Sequence, residues 1–475
     1  MIWEQNSNII VMTSQFVERA RRKCDQYWPD EGSHLYGNVL VRITSQHQLA
    51  YYTVRTFCIR MLRRKKPISC KERVIFHYQY TDWADFDVPR TPLPVLAFVR
   101  ASVIHWRDSD GPIVVHCSAG VGRTGTYICI ESLIRQMNQE HVVNVRGFLE
   151  HIRQQRMKLV QTDAQYAFIH DALSEHLMYP LHTIAYFQFP FYVSALRNSK
   201  SPSTGQTYLE CQFRTITCGF SGRRWDPEFD YSSARDPDNM AKNRSQLHIP
   251  LDLNRVNLSY DMSQGRTSNY INASLMPGYR RLDEFIVTQH PLESTVRDFW
   301  RMVWEKNSPL IICFPSPDQA ELDDFWPVDN SSVREIGWLR IGFIRKGQLC
   351  DSVINYEFLL SSTREDYALP CHLWQVTKWP ELDADYSEET APRSALDLLL
   401  ICSHLVQPKD SSIPSQSNVA PPAPVNTSPN SPSNCVDQNG SVPTGLEQSS
   451  LTAAAQFVSG NANSHGPTIL VDESV

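Results

Sequence analysis

The run His116-Cys117-Ser118-Ala119-Gly120-Val121-Gly122-Arg123-Thr124-Gly125 follows a strand-like apolar segment, residues 111–116, and precedes Tyr127, Ile130, Ile134 and Met137, which recur at helix spacing. A strand that passes directly into a helix start turns backbone N–H groups and the positive end of the helix dipole toward the connecting loop, which favours a bound anion there. Ser118, Ala119, Gly120, Val121 and Gly122 therefore read as a phosphate cradle, with the glycines letting the backbone turn without Cβ clashes. Arg123, at Cys-x5-Arg spacing, can fold back over the loop and make a two-pronged contact with phosphate oxygens. Cys117 lies at the bottom of this positive field, which depresses its pKa and yields a thiolate suited to attack on phosphorus. A cysteine beside a strand is by itself an inert core residue; the strand, glycines, arginine and helix together assign it chemistry. No Gly-Lys-Ser or Gly-Lys-Thr follows, so a nucleotide-binding P-loop fits poorly.

Around this loop, 475 residues with 41% hydrophobic content supply apolar material for about two domains. The net charge of −6 gives no reason to expect nucleic-acid binding. Twelve cysteines are scattered without paired spacings, and Met1-Ile2-Trp3-Glu4-Gln5-Asn6 lacks the basic and apolar regions of a signal peptide, so a cytoplasmic, reducing setting is expected. The longest apolar stretch, Met178 to Leu196, is interrupted by Pro180, His182, Gln188 and Pro190, so no membrane span is expected in this chain.

An internal repeat sets the domain boundaries. Met1-Ile2-Trp3-Glu4-Gln5-Asn6-Ser7 recurs as Met302-Val303-Trp304-Glu305-Lys306-Asn307-Ser308, each followed by an apolar strand-like run. Tyr27-Trp28-Pro29 recurs as Phe325-Trp326-Pro327, Trp83-Ala84-Asp85 as Trp379-Pro380-Glu381, and Gly111-Pro112-Ile113-Val114-Val115 as Gly466-Pro467-Thr468-Ile469-Leu470. Four matches in one order indicate two copies of one domain. The first is assigned to residues 1–178, a linker to 179–199, the second to 200–405, and its last strand to 466–475. Residues 406–465, rich in Pro, Ser, Asn, Thr and Gly, are expected to be a disordered insertion. The copies read as incomplete at opposite ends: the first lacks a counterpart of 200–301, and the second stops soon after its Gly-Pro strand. A fragment or truncated gene product is the expectation.

Strand-like runs at Leu35 to Ile43, Tyr51 to Ile59, Val74 to Tyr80 and Gly111 to His116 precede helical patterns, giving a mixed α/β (α+β) class. A helix beginning near Arg123 follows the loop. A last helix starts at Thr162, where Thr162-Asp163-Ala164-Gln165 fits a capping box. The basic run Arg60 to Lys66 reads as a solvated hairpin tip.

The loop resembles the signature of protein tyrosine phosphatases, and the repeat resembles the tandem cytoplasmic domains of receptor-type members. Further similarity runs through Lys23 to Pro29, Trp83-Ala84-Asp85, Val160 to Tyr166 and Asn269 to Ala273, covering most of residues 1–405. Asn144-Val145-Arg146-Gly147-Phe148 and Phe168-Ile169-His170-Asp171-Ala172-Leu173 are most similar to the gamma/zeta branch. The resemblance implies a twisted mixed sheet flanked by helices. It also implies that Asp85 is the general acid on a mobile loop. Ala84 stands where the family usually has proline, and Asp87 where glycine is common, which alters the stiffness and hinge of that loop. By the same resemblance Gln161 positions the hydrolytic water, Thr124 assists release of the thiolate, and Glu18 orients Arg123. His116, Lys23 and Gln165 are supporting residues, Gln165 being equally well explained by capping. No metal and no cofactor is implied, since thiolate, arginine and backbone dipoles supply the electrostatics.

The second copy departs from this pattern. Val471 falls at the His116 position and Asp472 at the Cys117 position, Glu381 replaces the acid, and Ser245 replaces the aromatic that normally follows Lys-Asn-Arg. An aspartyl-phosphate route from Asp472 lacks a second aspartate two residues on, where Ser474 sits. The expected function is hydrolysis of phosphotyrosine in proteins by the first domain. The second is expected to be a pseudophosphatase making regulatory contacts, intramolecular or in a dimer. The competing reading is a catalytically silent signalling scaffold.

Overall fold

The computed structural model describes residues 1–62, 72–83, 86–107, 109–178, 183–218, 230–260, 269–314, 325–328, 333–350, 352–377 and 466–472. Ala84, Asp85, most of the basic run after Arg60, Trp379 to Glu381, Ser474 and the insertion expected at 406–465 lie outside the described residues. The chain packs as two units: Met1–Asp230 with Pro277–Leu282, and Tyr231–Met276 with Asp283–Val475.

The first unit is organised by Ile9–Met12 (β1), an Ile-Ile-Val-Met run buried on both faces. Its partners are Ser33–Tyr36 (β2), Val39–Gln48 (β3), Tyr52–Met61 (β4), Arg73–Tyr80 (β5) and Val114–His116 (β6), in sheet order β2-β3-β4-β5-β1-β6. β1 runs parallel to both neighbours, so the hairpin strands β2 to β5 lie to one side of it and the β6 strand that leads into the loop lies to the other. A strand flanked by parallel partners and covered on both faces is expected to read as continuous apolar sequence, as β1 does. Successive side chains alternate. Ile9 and Val11 join a core with Pro92–Val103 (α1), Gly122–Glu140 (α2), Val145–Gln155 (α3) and Asp163–Met178 (α4), while Ile10 and Met12 face Trp28, Phe57, Ile59 and Ile75. Each such aliphatic side chain contributes about 1.5–3 kcal/mol by leaving water.

Tyr127, Ile130, Ile134 and Met137 all lie on the buried face of α2, as their spacing predicts. The single strand expected over Leu35 to Ile43 is instead two, broken at Gly37, whose φ of 62° makes a tight reversal that a residue with a Cβ rarely adopts. The strand expected over Gly111 to His116 is confined to its last three residues. Residues 183–218 carry a short 3₁₀ turn and the helices Phe189–Asn198 and Tyr208–Cys218, on the first unit's side of the division.

The second unit has nine main strands: Arg255–Asn257 (β7), Tyr270–Met276 (β8), Phe285–Gln289 (β9), Leu310–Cys313 (β10), Val333–Ile336 (β11), Leu339–Cys350 (β12), Val353–Ser362 (β13), Ala368–Val376 (β14) and Thr468–Asp472 (β15). Their order is β11-β12-β13-β14-β10-β15-β9-β8-β7, so its first six places repeat the first unit's sheet and three strands extend it. The repeat persists in detail. Gly111 N donates to Asn6 O at 2.9 Å and Gly466 N to Asn307 O at 2.8 Å. A Cβ on either glycine would lie under 2 Å from a backbone oxygen, of Gln5 in one unit and Lys306 in the other. The close approach explains why Asn-Ser and Gly-Pro recur together.

Candidate active site

The loop after β6 is built by turning its carbonyls outward. His116 O accepts from Thr13 N at 2.9 Å, and Cys117 O from His116 Nδ1 at 3.1 Å and Cys24 Sγ at 3.4 Å. Ala119 O and Gly120 O accept from Arg156 Nη2 and Nε at 3.0 and 2.8 Å; Val121 O accepts from Gly125 N and Val160 N. The C=O and N–H groups of a trans peptide point in opposite directions, so carbonyls held outward aim amides inward. Gly120, at φ 68°, makes the necessary turn, and its N–H reaches Cys117 Sγ at 3.3 Å. Ser118 Oγ donates to Lys23 O at 2.8 Å, which ties the loop to the segment leading to Tyr27.

Cys117 is 7% exposed. Burial works to raise its pKa, but the Thr124 hydroxyl and the N–H groups of Val121, Thr124 and Gly120 outweigh it and hold the thiol below its ordinary value. The Thr124 hydroxyl is buried and among the described residues meets no oxygen or nitrogen partner, which leaves it to the sulfur.

Arg123, in the first turn of α2, is 2% exposed. Its Nη1 donates to Glu18 Oε1 at 2.7 Å and to the Trp83 carbonyl at 2.6 Å. Glu18 Oε1 also accepts from Gln15 N at 3.0 Å, fixing the carboxylate that orients the guanidinium. Trp83 is buried between Tyr80 and Phe168, and its Nε1 donates to Asp87 O at 2.9 Å, tying the two ends of the stretch 83–87 to each other. Asp85 falls between those ends in sequence, outside the described residues.

Gln161 and Gln165 converge on Gly122. A Cβ there would stand 2.6 Å from Gln161 Oε1 and 3.0 Å from Gln165 Oε1. The capping box expected at Thr162 forms by half: Thr162 Oγ1 accepts from Gln165 N at 3.1 Å, but Gln165 Oε1 accepts from Gln161 N at 2.9 Å rather than from Thr162 N. Gln165 thus fixes the backbone of Gln161 beside the loop, a placement set by packing against Gly122.

Behind the loop, the Tyr27 hydroxyl lies 2.7 Å from His116 Nε2 and 2.9 Å from His77 Nε2. Tyr27 as a residue is 38% exposed, with its hydroxyl turned toward the two histidines. Burial lowers the His116 pKa; burial, then Arg55 and His116, holds His77 well below the ordinary histidine value. Arg55 is buried too, donating to Gln46 Oε1 at 2.7 Å and Gln79 Oε1 at 2.8 Å with its guanidinium 4.7 Å from the Trp28 ring centroid. Burial brings it down to about 10, still a cation at neutral pH.

Cys117, His116, Ser118 to Thr124, Glu18, Gln161, Gln165 and the Lys23 backbone are therefore brought together around one loop. Sequence reading missed Arg156, Cys24, His77 and Arg55, and gave Tyr27 no role. No local pattern marks Arg156, at the end of α3; Cys24 and Tyr27 both lie in the Lys23 to Pro29 stretch, whose sequence does not reveal their partners. In the second unit Val471 and Asp472 end β15, parallel to β10, at the places of His116 and Cys117.

The protein-tyrosine phosphatase family model matches residues 1–175 and 239–417. Receptor-type tyrosine-protein phosphatase zeta of Homo sapiens is 42% identical over 397 residues, 82% of this chain and 17% of that protein. Tyrosine-protein phosphatase 99A of Drosophila melanogaster is 41% identical over 384 residues, 80% of this chain and 28% of that protein. Receptor-type tyrosine-protein phosphatase alpha of Mus musculus is 37% identical over 388 residues, 80% of this chain and 45% of that protein. The chain thus spans less than half the length of each of these relatives.

Proposed function

The chain belongs to the protein-tyrosine phosphatase family, and from that premise we propose that its first unit hydrolyses phosphotyrosine in proteins through a cysteinyl-phosphate. The Cys117 thiolate attacks phosphorus, forming the S–P bond as the P–O ester bond breaks. Loop amides 118–122 and Arg123 hold the phosphoryl oxygens, and they stabilise charge in the transition state more than in the ground state. Asp85 gives its proton to the departing tyrosine oxygen. Water held by Gln161 then attacks phosphorus, Asp85 takes its proton, and the thiolate leaves with the Thr124 hydroxyl donating to it. Glu18 acts through Arg123, keeping the guanidinium aimed across the loop.

The observation that carries this reading is the Cys117 sulfur 3.3 Å from the Gly120 amide, inside a loop whose carbonyls are held outward. The second unit we read as a binding or regulatory module, because a carboxylate at Asp472 would repel the phosphate that a thiolate and arginine would otherwise engage. The relatives named above as receptor-type suggest that this chain corresponds to the cytoplasmic part of such a receptor; among the described residues no helix is long and apolar enough to cross a membrane. The test is hydrolysis of a small aryl phosphate by the purified chain beside Cys117→Ser, with orthovanadate as competitor. Vanadate-sensitive turnover absent from the variant is expected. A folded parent protein without turnover would overturn the reading in favour of a silent scaffold.

A further inference from the structure

The line His77, Tyr27, His116 has a direction that its chemistry fixes. His116 Nδ1 lies 3.1 Å from Cys117 O, which can only accept, so Nδ1 carries the hydrogen. A neutral His116 then offers Nε2 as an acceptor, and the single Tyr27 hydroxyl hydrogen goes to it across 2.7 Å. The Tyr27 oxygen is left to accept from His77 Nε2–H at 2.9 Å. His77 Nδ1 is accordingly the bare nitrogen, and it is buried without a hydrogen-bond partner among the described residues. Arg55 pairs with His77 across β4 and β5 and disfavours a charged imidazole there.

We propose that His77 is a positioning residue that sets the sense of this whole hydrogen-bond line and so holds the Cys117 carbonyl outward, aiming the Ser118 N–H into the cradle. The inference rests on the phosphatase reading of Cys117. Its support is a control within the same chain. Leu373 opposes Ile311 in the second unit as His77 opposes Ile10 in the first, and Val471 opposes Cys313 as His116 opposes Met12. Tyr356 opposes Leu373 as Arg55 opposes His77, and Phe325 of Phe-Trp-Pro stands for Tyr27 of Tyr-Trp-Pro.

Each of the three line members is thus apolar in the unit that carries Asp472, where Leu373, Phe325 and Val471 are 0, 2 and 1% exposed. The same six-strand order forms around them. Folding of this sheet therefore does not require the line, and a buried imidazole with a bare nitrogen beside a buried arginine is unfavourable for stability. A costly polar line present beside Cys117 and replaced beside Asp472 is best explained by the thiolate.

The test uses the full chain with His77→Leu, His77→Gln and Tyr27→Phe, reading the pH midpoint of Cys117 alkylation by iodoacetamide, kcat/KM for an aryl phosphate, and thermal melting. His77→Leu should raise the alkylation midpoint by about one pH unit and lower kcat/KM about tenfold, the scale of one hydrogen bond. Its melting temperature should not fall, leucine being the residue the second unit uses. His77→Gln presents an amide N–H to Tyr27 and should restore both readouts to within about twofold. Tyr27→Phe should match His77→Leu, and the double variant should be no worse than either, since both cut one line. An unchanged midpoint in His77→Leu, or a His77→Gln protein as impaired as His77→Leu, overturns the proposal alone. A parent Cys117 with ordinary thiol reactivity overturns the phosphatase reading, and the proposal with it.

Discussion

Replacing Glu18 with alanine removes the carboxylate from a pair whose side chains are almost wholly enclosed. Glu18 Oε1 serves both Arg123 Nη1 at 2.7 Å and Gln15 N at 3.0 Å, so two donors lose their acceptor at once. Breaking a buried pair by removing one partner costs about 3–5 kcal/mol, because the remaining charge stays buried without compensation. Arg123 keeps the Trp83 carbonyl at 2.6 Å, which argues for the low end, ~3 kcal/mol. For a unit of 150–250 residues each kcal/mol moves the melting temperature by about 2–4 °C, so the first unit's transition should fall by roughly 6–12 °C. Glu18→Gln leaves an oxygen acceptor and removes only the charge; its loss should be about half as large. A guanidinium no longer held across the loop should also bind the phosphoryl group less well. Vanadate inhibition and kcat/KM should therefore weaken together, by about tenfold or more in the alanine variant. Calorimetry of the full chain and vanadate titration check both. A Glu18→Ala protein with the parent's melting profile and vanadate inhibition would refute the claim that Glu18 holds Arg123.

Gly122→Ala places a Cβ 2.6 Å from Gln161 Oε1, so the glutamines must move while the nucleophile stays. Cys117 alkylation should persist and hydrolysis of the phosphoenzyme should slow, giving a burst of aryl product in stopped flow; parent turnover without a burst would count against the role of Gln161. Asp85→Asn should cost about 100-fold or more with phenyl phosphate and much less with p-nitrophenyl phosphate, whose leaving group needs no proton; equal losses on both substrates would sink the acid assignment. His77 and His116 both have folded pKa values below the ordinary 6.5, His77 through burial, Arg55 and His116, and His116 through burial. Below about pH 6.5 the unfolded chain therefore binds protons that the folded unit does not, and stability should fall as pH drops. Urea unfolding should show that slope in the parent and a flatter one in His77→Leu; identical slopes would contradict the assignment.

Local periodicity revealed the parts of the fold that depend on local sequence. The α2 face, the apolar β1 run and the loop between β6 and α2 each occupy a few consecutive residues, and burial follows their spacing. The Gly37 break was also written locally, as Gly-Asn between two apolar runs, but the longer strand pattern obscured it. Thr162 caps α4 as its pattern implies, whereas the other end of Gln165 is committed to Gln161 by packing that no four-residue pattern contains. Arg156 meets Gly120 from 36 residues away, and Tyr27 meets His77 across 50. Such pairings are set by sheet order, and side chains that meet only through topology leave no periodic trace in the sequence.

The internal repeat nonetheless offered a way to them. Aligning Met1-Ile2-Trp3-Glu4-Gln5-Asn6-Ser7 with Met302-Val303-Trp304-Glu305-Lys306-Asn307-Ser308 fixes the correspondence of β1 with β10, and the ladders carry it outward to His77 and Leu373 on one side and His116 and Val471 on the other. Positions that keep their character across the copies, such as Gly111 and Gly466 or Trp28 and Trp326, answer to packing. Positions that change from polar to apolar within an unchanged sheet are not needed to build that sheet. His77, Tyr27 and His116 change in this way while Cys117 is replaced by Asp472, and all four lie in one hydrogen-bonded line ending at the sulfur-bearing residue. The comparison separates the residues that build the sheet from those to which the proposal assigns the preparation of the thiolate.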